Sequence, residues 1–244
     1  MSFHQNHPKS IIEMKKGIKI AIVVALCVGL VVAGFYSWKS KQKLDYRDCL
    51  QETAFVANGQ ERKMCDLGFY ILYQEREVEK QAQIYNPENT KDYWNLHVDG
   101  VFIQAQAKEN IINMAIHDEL YYQKAVENDI TLNGEEEQQY RNTVMDFWMD
   151  LLDEQKENLP VSDEFVVEAM RRKAIAEKYQ MQLAKKKGHS YASYQWDGAY
   201  YQKWLEKQKV EINHKIWDKI VVGDISLQHG KPNYVNGYNK KESE

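Results

Sequence analysis

Between Lys19 and Lys39 the chain carries no charged side chain, and the nineteen residues from Ile20 to Trp38 read IAIVVALCVGLVVAGFYSW. At about 1.5 Å of rise per residue, a helix of this length matches the roughly 30 Å hydrocarbon core of a bilayer. Such a run is either an uncleaved transmembrane anchor or a signal peptide cut near Val31, Val32 and Ala33. Its length and its closing aromatics Phe35, Tyr36 and Trp38 favour the anchor over 20–38, following a short tail over 1–19. A lipid-modified Cys27 is disfavoured because Leu26 stands where a small residue is required and the apolar run continues past it.

Lys9, Lys15, Lys16 and Lys19 precede the run, while Lys39, Lys41, Lys43 and Arg47 follow it, so the positive-inside rule is tied. The shortness of the N-terminal tail makes an inside N-terminus and an extracytoplasmic main domain the expectation. Ala21, Ala25, Gly29 and Ala33 recur every fourth residue on one helix face, where small side chains would let two spans pack as a homodimer. Alanine and glycine are also common in such spans without that role. Residues 1–38 carry a net +3 out of a total of −4, leaving −7 for the remainder. An acidic main domain argues against a nucleic-acid partner, which needs a basic face.

Sixteen Tyr and six Trp against four Pro and twelve Gly favour packed helices over a loop-rich design. Residues 39–52 are charged and read as a juxtamembrane helix or linker. Asn58-Gly59 marks a turn after an apolar stretch, and Asp66 is placed to cap a helix from about Leu67 to Ile84. A long helix from about Phe102 to Glu127 buries Ile112, Ile116 and Leu120, and Ile130 and Leu132 form an apolar step. Asn133 with Glu136 forms a capping box that starts the next helix, whose inward stripe is Tyr140, Val144, Phe147, Trp148, Leu151 and Leu152. Ser162 opens another helix, which Lys185, Lys186, Lys187 and Gly188 close. A helix over about Gly198–Lys209 and an alternating strand Val210–His214 follow, and the polar residues 226–244 read as a disordered tail.

Cys49 and Cys65 are sixteen residues apart. They form either a disulfide, if the domain faces an oxidising space, or two buried free thiols. Neither a Cys-x-x-Cys pair nor a nucleotide-binding glycine loop, a His-Glu-x-x-His or a Gly-x-Ser-x-Gly sequence occurs, so no catalytic residue, cofactor or metal site is expected. His117 and Glu119, two apart on a helix, do not share a face for metal ligation. The densest unexplained feature is SYASYQWDGAYYQKW, which gathers Tyr191, Tyr194, Trp196, Tyr200, Tyr201 and Trp204. These aromatics either pack between helices or offer adaptable contact area to a bound polypeptide.

The run ENIINMAIHDELYYQKAVENDITLNGEEEQQY, the long helix after it and LPVSDEFVVEAMRRKAIAEKYQ resemble the helical N-terminal chaperone region of SurA/PrsA-type foldases. AFVANGQERKMCDLGFYIL is similar to that region's opening strand and turn, and VEINHKIW to its closing strand. The resemblance spans about residues 53–222 and implies a mainly α module over 53–225, in which a small strand pair joins N-terminal and C-terminal segments. Many family members carry a parvulin prolyl isomerase domain between the helices and the closing strand. Here that interval, about Lys187 to Gly198, is a dozen residues long and has no room for one. The expectation is therefore a bacterial-envelope, membrane-anchored chaperone for unfolded or newly translocated polypeptides, without isomerase activity. The alternative is a scaffold subunit binding one folded membrane or envelope partner.

Overall fold

The computed structural model describes residues 42–229. The Ile20–Trp38 run, Cys27 and the stripe Ala21, Ala25, Gly29 and Ala33 lie outside the described residues, as does the tail from Gly230. Among the described residues, no helix is long and apolar enough to cross a membrane. The chain divides between Lys43 and Leu44, and the second unit is a mainly helical domain with two small antiparallel sheets.

Strand β1 (Thr53–Ala57) turns at Asn58-Gly59 into β2 (Gln60–Lys63). Both turn residues have positive φ, 50° and 84°, the backbone an Asn-Gly pair tolerates best. β5 (Val210–Ile212) returns from the far end of the chain to pair with the other side of β1, with Phe55 opposite Ile212. Helices α1 (Gly68–Tyr85), α3 (Ile103–Glu127) and α6 (Asp163–Lys187) form the body over this sheet. Their core includes Leu67, Ile71 and Leu72, Ile111 and Leu120, and Val166 and Ala176. The shorter helices are α2 (Lys91–Trp94), α5 (Asp153–Glu157), α7 (Ala199–Leu205) and α8 (His214–Trp217). A second hairpin, β3 (His97–Val98) with β4 (Val101–Phe102), turns at Asp99-Gly100 and leads into α3.

The junction after α3 follows from its residues. Asp129 takes φ 53°, and the Ile130 amide donates back to the Ala125 carbonyl at 2.9 Å, which closes the helix. Asn133 then accepts from the Glu135 and Glu136 amides at 3.0 Å, and Glu136 accepts the Asn133 amide at 2.7 Å, restarting the chain as α4 (Gly134–Asp150). Gly188 ends α6 at φ 66°, and Ser162 holds its N-cap position without a side-chain cap bond. Asp66 accepts the Lys63 amide at 2.8 Å and so caps a 3₁₀ turn, Met64–Leu67, ahead of α1.

The domain is larger at both ends than the 53–225 expected. Within residues 44–52, Tyr46–Cys49 form a 3₁₀ turn in which Tyr46 and Cys49 are buried, and the Tyr46 hydroxyl donates to the Met64 carbonyl. The Leu44 amide donates to the Lys219 carbonyl at 3.0 Å. At the other end Ser226 and Leu227 are buried, so these residues do not belong to a disordered tail. The reason is Glu75 of α1, which is fully buried. Its carboxylate accepts the Gly223, Ile225 and Ser226 amides at 2.6, 3.2 and 2.8 Å, together with the Ser226 hydroxyl. Burial pushes the Glu75 pKa up, and these donors pull it part of the way back. Cys49 and Cys65 are buried free thiols, the second of the two states considered for them.

Candidate functional site

The aromatic cluster singled out in the sequence is mostly internal. Tyr194 and Tyr201 are buried, while Tyr191, Trp196 and Trp204 are half-buried. Tyr201 meets the His117 ring at 4.7 Å between centroids, and Trp204 meets Tyr121 at 4.9 Å. Tyr200 is exposed, but it stacks on His189 at 4.0 Å with planes 15° apart. Tyr201 and Trp204 thus form a layer packed over α3, a role that uses their area for cohesion.

A buried polar network fixes that layer. His117 places Nδ1 2.7 Å from Asp118 Oδ1 and Nε2 2.9 Å from the Tyr194 carbonyl oxygen, while the Tyr70 hydroxyl donates to Asp118 Oδ2 at 3.0 Å. Burial would raise the Asp118 pKa, but the His117 hydrogen bond, the Lys173 charge and the Tyr70 hydroxyl together hold it below its usual range. Neighbouring Glu119 accepts Arg62 Nε at 2.7 Å, Gln123 Nε2 at 2.8 Å and a guanidinium nitrogen of Arg172. Every polar group here is committed to another element, so the network joins α1, α3, α6 and the Tyr191–Tyr194 turn. It borders only a small cavity of about 60 Å³, lined by Arg62, Tyr70, Asp118, Glu119 and Arg172.

A larger opening lies between α1, α4 and α6. The stripe expected to pack inward along α4 does so only at its C-terminal end. Phe147 is buried 5.2 Å from Phe69, whereas Tyr140, Val144 and Trp148 are only half-buried; α4 stops at Asp150, and Leu151 and Leu152 are buried beyond it. Nearer its start, the helix is held by charge. Lys178 Nζ lies 2.5 Å from Glu136, Arg171 grips Glu137 with two bonds of 3.0 and 2.6 Å, and the Tyr140 hydroxyl donates to the Val167 carbonyl at 2.9 Å. Between these attachments α4 stands off the body and leaves a groove of about 590 Å³.

The groove wall from α4 is one helical face, Glu136, Gln139, Tyr140, Thr143, Asp146, Phe147 and Asp150. Phe69 and Tyr73 of α1 and Met170 and Met181 of α6 supply the apolar floor and far wall. Arg76 lies over the Tyr73 and Phe147 rings at 5.4 and 5.5 Å and reaches Asp150 at 3.7 Å. Methionines and aromatics at an open surface adapt to varied partners. No His, Cys or Ser lines this groove; its titratable lining includes Glu136, Asp146, Asp150, Glu177, Lys173 and Lys178, beside Thr143 and the two tyrosines. Among the described residues, no group of three or more His, Cys, Asp and Glu could hold a metal ion. Sequence reasoning found Tyr140 and Phe147 but read them as core. It missed Tyr73, Met170 and Met181, although Phe69, Tyr73 and Arg76 at i, i+4 and i+7 form a second stripe on α1.

No family model, curated protein or solved structure matches this chain.

Proposed function

We propose that this chain is a membrane-tethered, non-catalytic holder of polypeptide segments, akin to the chaperone part of SurA/PrsA-type foldases. It is a single-pass protein whose 20–38 run is the anchor and whose domain faces the extracytoplasmic side. The groove between α1, α4 and α6 carries this reading. Its volume falls within the range of roughly 300–1,000 Å³ usual for binding clefts, and its apolar floor has a charged rim. The α4 face from Glu136 to Asp150 runs about 21 Å, enough for some six residues of extended chain. The closing strand β5, brought back to β1, agrees with the resemblance noted in the sequence.

The test is light scattering of a reduced, unfolded secretory protein titrated with the full chain in nanodiscs, with prolyl isomerisation followed in the same sample. Suppressed aggregation without isomerisation is expected. Tyr73→Glu and Met181→Glu, both at exposed groove positions, should abolish suppression while leaving the helical signal intact. An inert wild-type chain would move the assignment to a scaffold subunit with one folded partner.

A further inference from the structure

One end of the domain exposes a run of apolar side chains that its own fold leaves uncovered. Ile84 and Tyr85, in the last turn of α1, are 79% and 57% exposed, and Val98, Val101 and Phe102 of the β3–β4 hairpin are 46%, 40% and 55% exposed. Contacts run from Tyr85 through Tyr93 and Leu96 toward the hairpin. The Tyr85 and Tyr93 rings are 5.6 Å apart, the Leu96 amide donates to the Tyr93 carbonyl at 3.0 Å, and His97 packs on Phe102 at 4.9 Å. Val98 pairs with Val101 and His97 with Phe102, so both faces of the hairpin are apolar or aromatic. A hairpin of two-residue strands is marginal in water, and a contiguous exposed apolar patch marks an interaction surface.

The position of this patch identifies what covers it. Helix α3 grows directly out of the hairpin, and its first turns bind the segment that receives the domain's N-terminal end. Gln104 Nε2 donates to the Val222 carbonyl at 2.7 Å, Lys108 Nζ donates to the Ile220 carbonyl at 2.8 Å, and Ile220 bridges Leu44. From Phe102 to Lys108 is about 9 Å along the helix. Only residues 39–43 separate Leu44 from Trp38, a reach of roughly 20 Å when extended. The hairpin therefore sits at the end of the domain from which the chain leads back to its uncharged nineteen-residue run. Lys39, Lys41 and Lys43 in the connection favour anionic headgroups. Tyr85 and Tyr93 are of the type enriched at the membrane–water boundary, and Phe102 adds a purely apolar ring beside them.

We propose that the β3–β4 hairpin, with Tyr85, docks on the headgroup boundary of the bilayer that holds residues 20–38 and so fixes how the domain stands on the membrane. This rests on the membrane reading of that run. Asp99 at the turn keeps the hairpin shallow, because its carboxylate stays with the headgroups.

The experiment uses the full chain carrying Cys27→Ala, with an environment-sensitive fluorophore on Val98→Cys or, as control, on exposed Gln138→Cys of α4. Cys49 and Cys65, buried, remain unlabelled. The protein is reconstituted into phosphatidylethanolamine–phosphatidylglycerol vesicles and floated on a density gradient. The expected result is co-flotation, with blue-shifted emission and quenching by lipids spin-labelled near the headgroup at position 98 and with neither effect at position 138. Co-flotation with the same aqueous emission at both positions would overturn the docking while leaving the anchor standing. A position-98 signal that disappears on diluting protein in lipid would reassign the patch to a second copy, which also overturns it. Failure to float would remove the anchor and the docking together.

Discussion

Replacing Glu75 with alanine tests how the last described residues are held. The carboxylate is the shared acceptor for three buried amides, those of Gly223, Ile225 and Ser226. If the segment stays in place, each amide left without an acceptor costs about 1–3 kcal/mol. If it comes away instead, the burial of Val222, Ile225 and Leu227 is lost at about 1.5–3 kcal/mol each. The chain takes the cheaper route, and alanine also removes the cost of burying a carboxylate. The expected loss is therefore near the lower end, about 3 kcal/mol, a large share of the 5–15 kcal/mol typical of a domain. Urea unfolding of Glu75→Ala measures it, and hydrogen exchange should lose protection across 222–229 while α3 and α6 keep theirs. A loss below about 1 kcal/mol with unchanged protection there would refute the reasoning, since the amides would then not depend on Glu75.

Three other outcomes follow from the packing. Gly68 is helical, and in an open helix alanine would add about 1 kcal/mol; here its Cβ would lie 2.2 Å from Val161 Cγ2, so Gly68→Ala should cost about 1–3 kcal/mol, partly recovered by Val161→Ala in a double-mutant cycle. A stabilised Gly68→Ala protein would contradict the contact. Burial holds Tyr46, Tyr70, Tyr121 and Tyr201 above the ordinary tyrosine pKa of 10.0, so the folded chain keeps protons that the unfolded chain releases. Their contribution is complete below about pH 10 and falls as pH rises further, and phenolate absorbance should show these hydroxyls ionising together with loss of helical signal. Burial also pushes the Cys49 and Cys65 thiols up, so neither should react with an alkylating reagent at neutral pH until denaturant is added, as mass spectrometry would show.

The parts of the fold set by local chemistry were legible in the residues. Asn58-Gly59, the Asn133–Glu136 cap and the Gly188 stop act within a few residues of themselves, and the spacing of Ile112, Ile116 and Leu120 declares a buried face. What was missed depends on partners distant in the chain. Glu75 and Glu79 are fully buried acids at i, i+4 spacing on α1, which periodicity assigns to solvent. They are tolerated because Gly223, Ser226 and Trp94 bring donors to them. The groove was hidden for a related reason: Tyr140 and Phe147 share one stripe, yet only Phe147 is buried, while half-buried Tyr140 reaches α6 through its hydroxyl and lines the opening. The hairpin at Asp99-Gly100 has a local turn signal, but its strands are two residues long and Phe102 abuts the helix that starts at Ile103, so the apolar run reads as one helix.

The return of β5 to β1 also sets an order of assembly. Asn213 donates to the Thr53 carbonyl across 160 residues of chain, and closing a loop of that length costs roughly 4.5 kcal/mol of entropy beyond a constant. The β1–β2 hairpin emerges early in synthesis, and its outer edge then waits for a strand made nearly last. Until residues 210–212 arrive, Phe55 and Ala57 lie on an open edge of the kind that recruits foreign strands. Folding should be slow for so helical a domain, and a chain truncated before Val210 should aggregate through β1 even if its helices have formed.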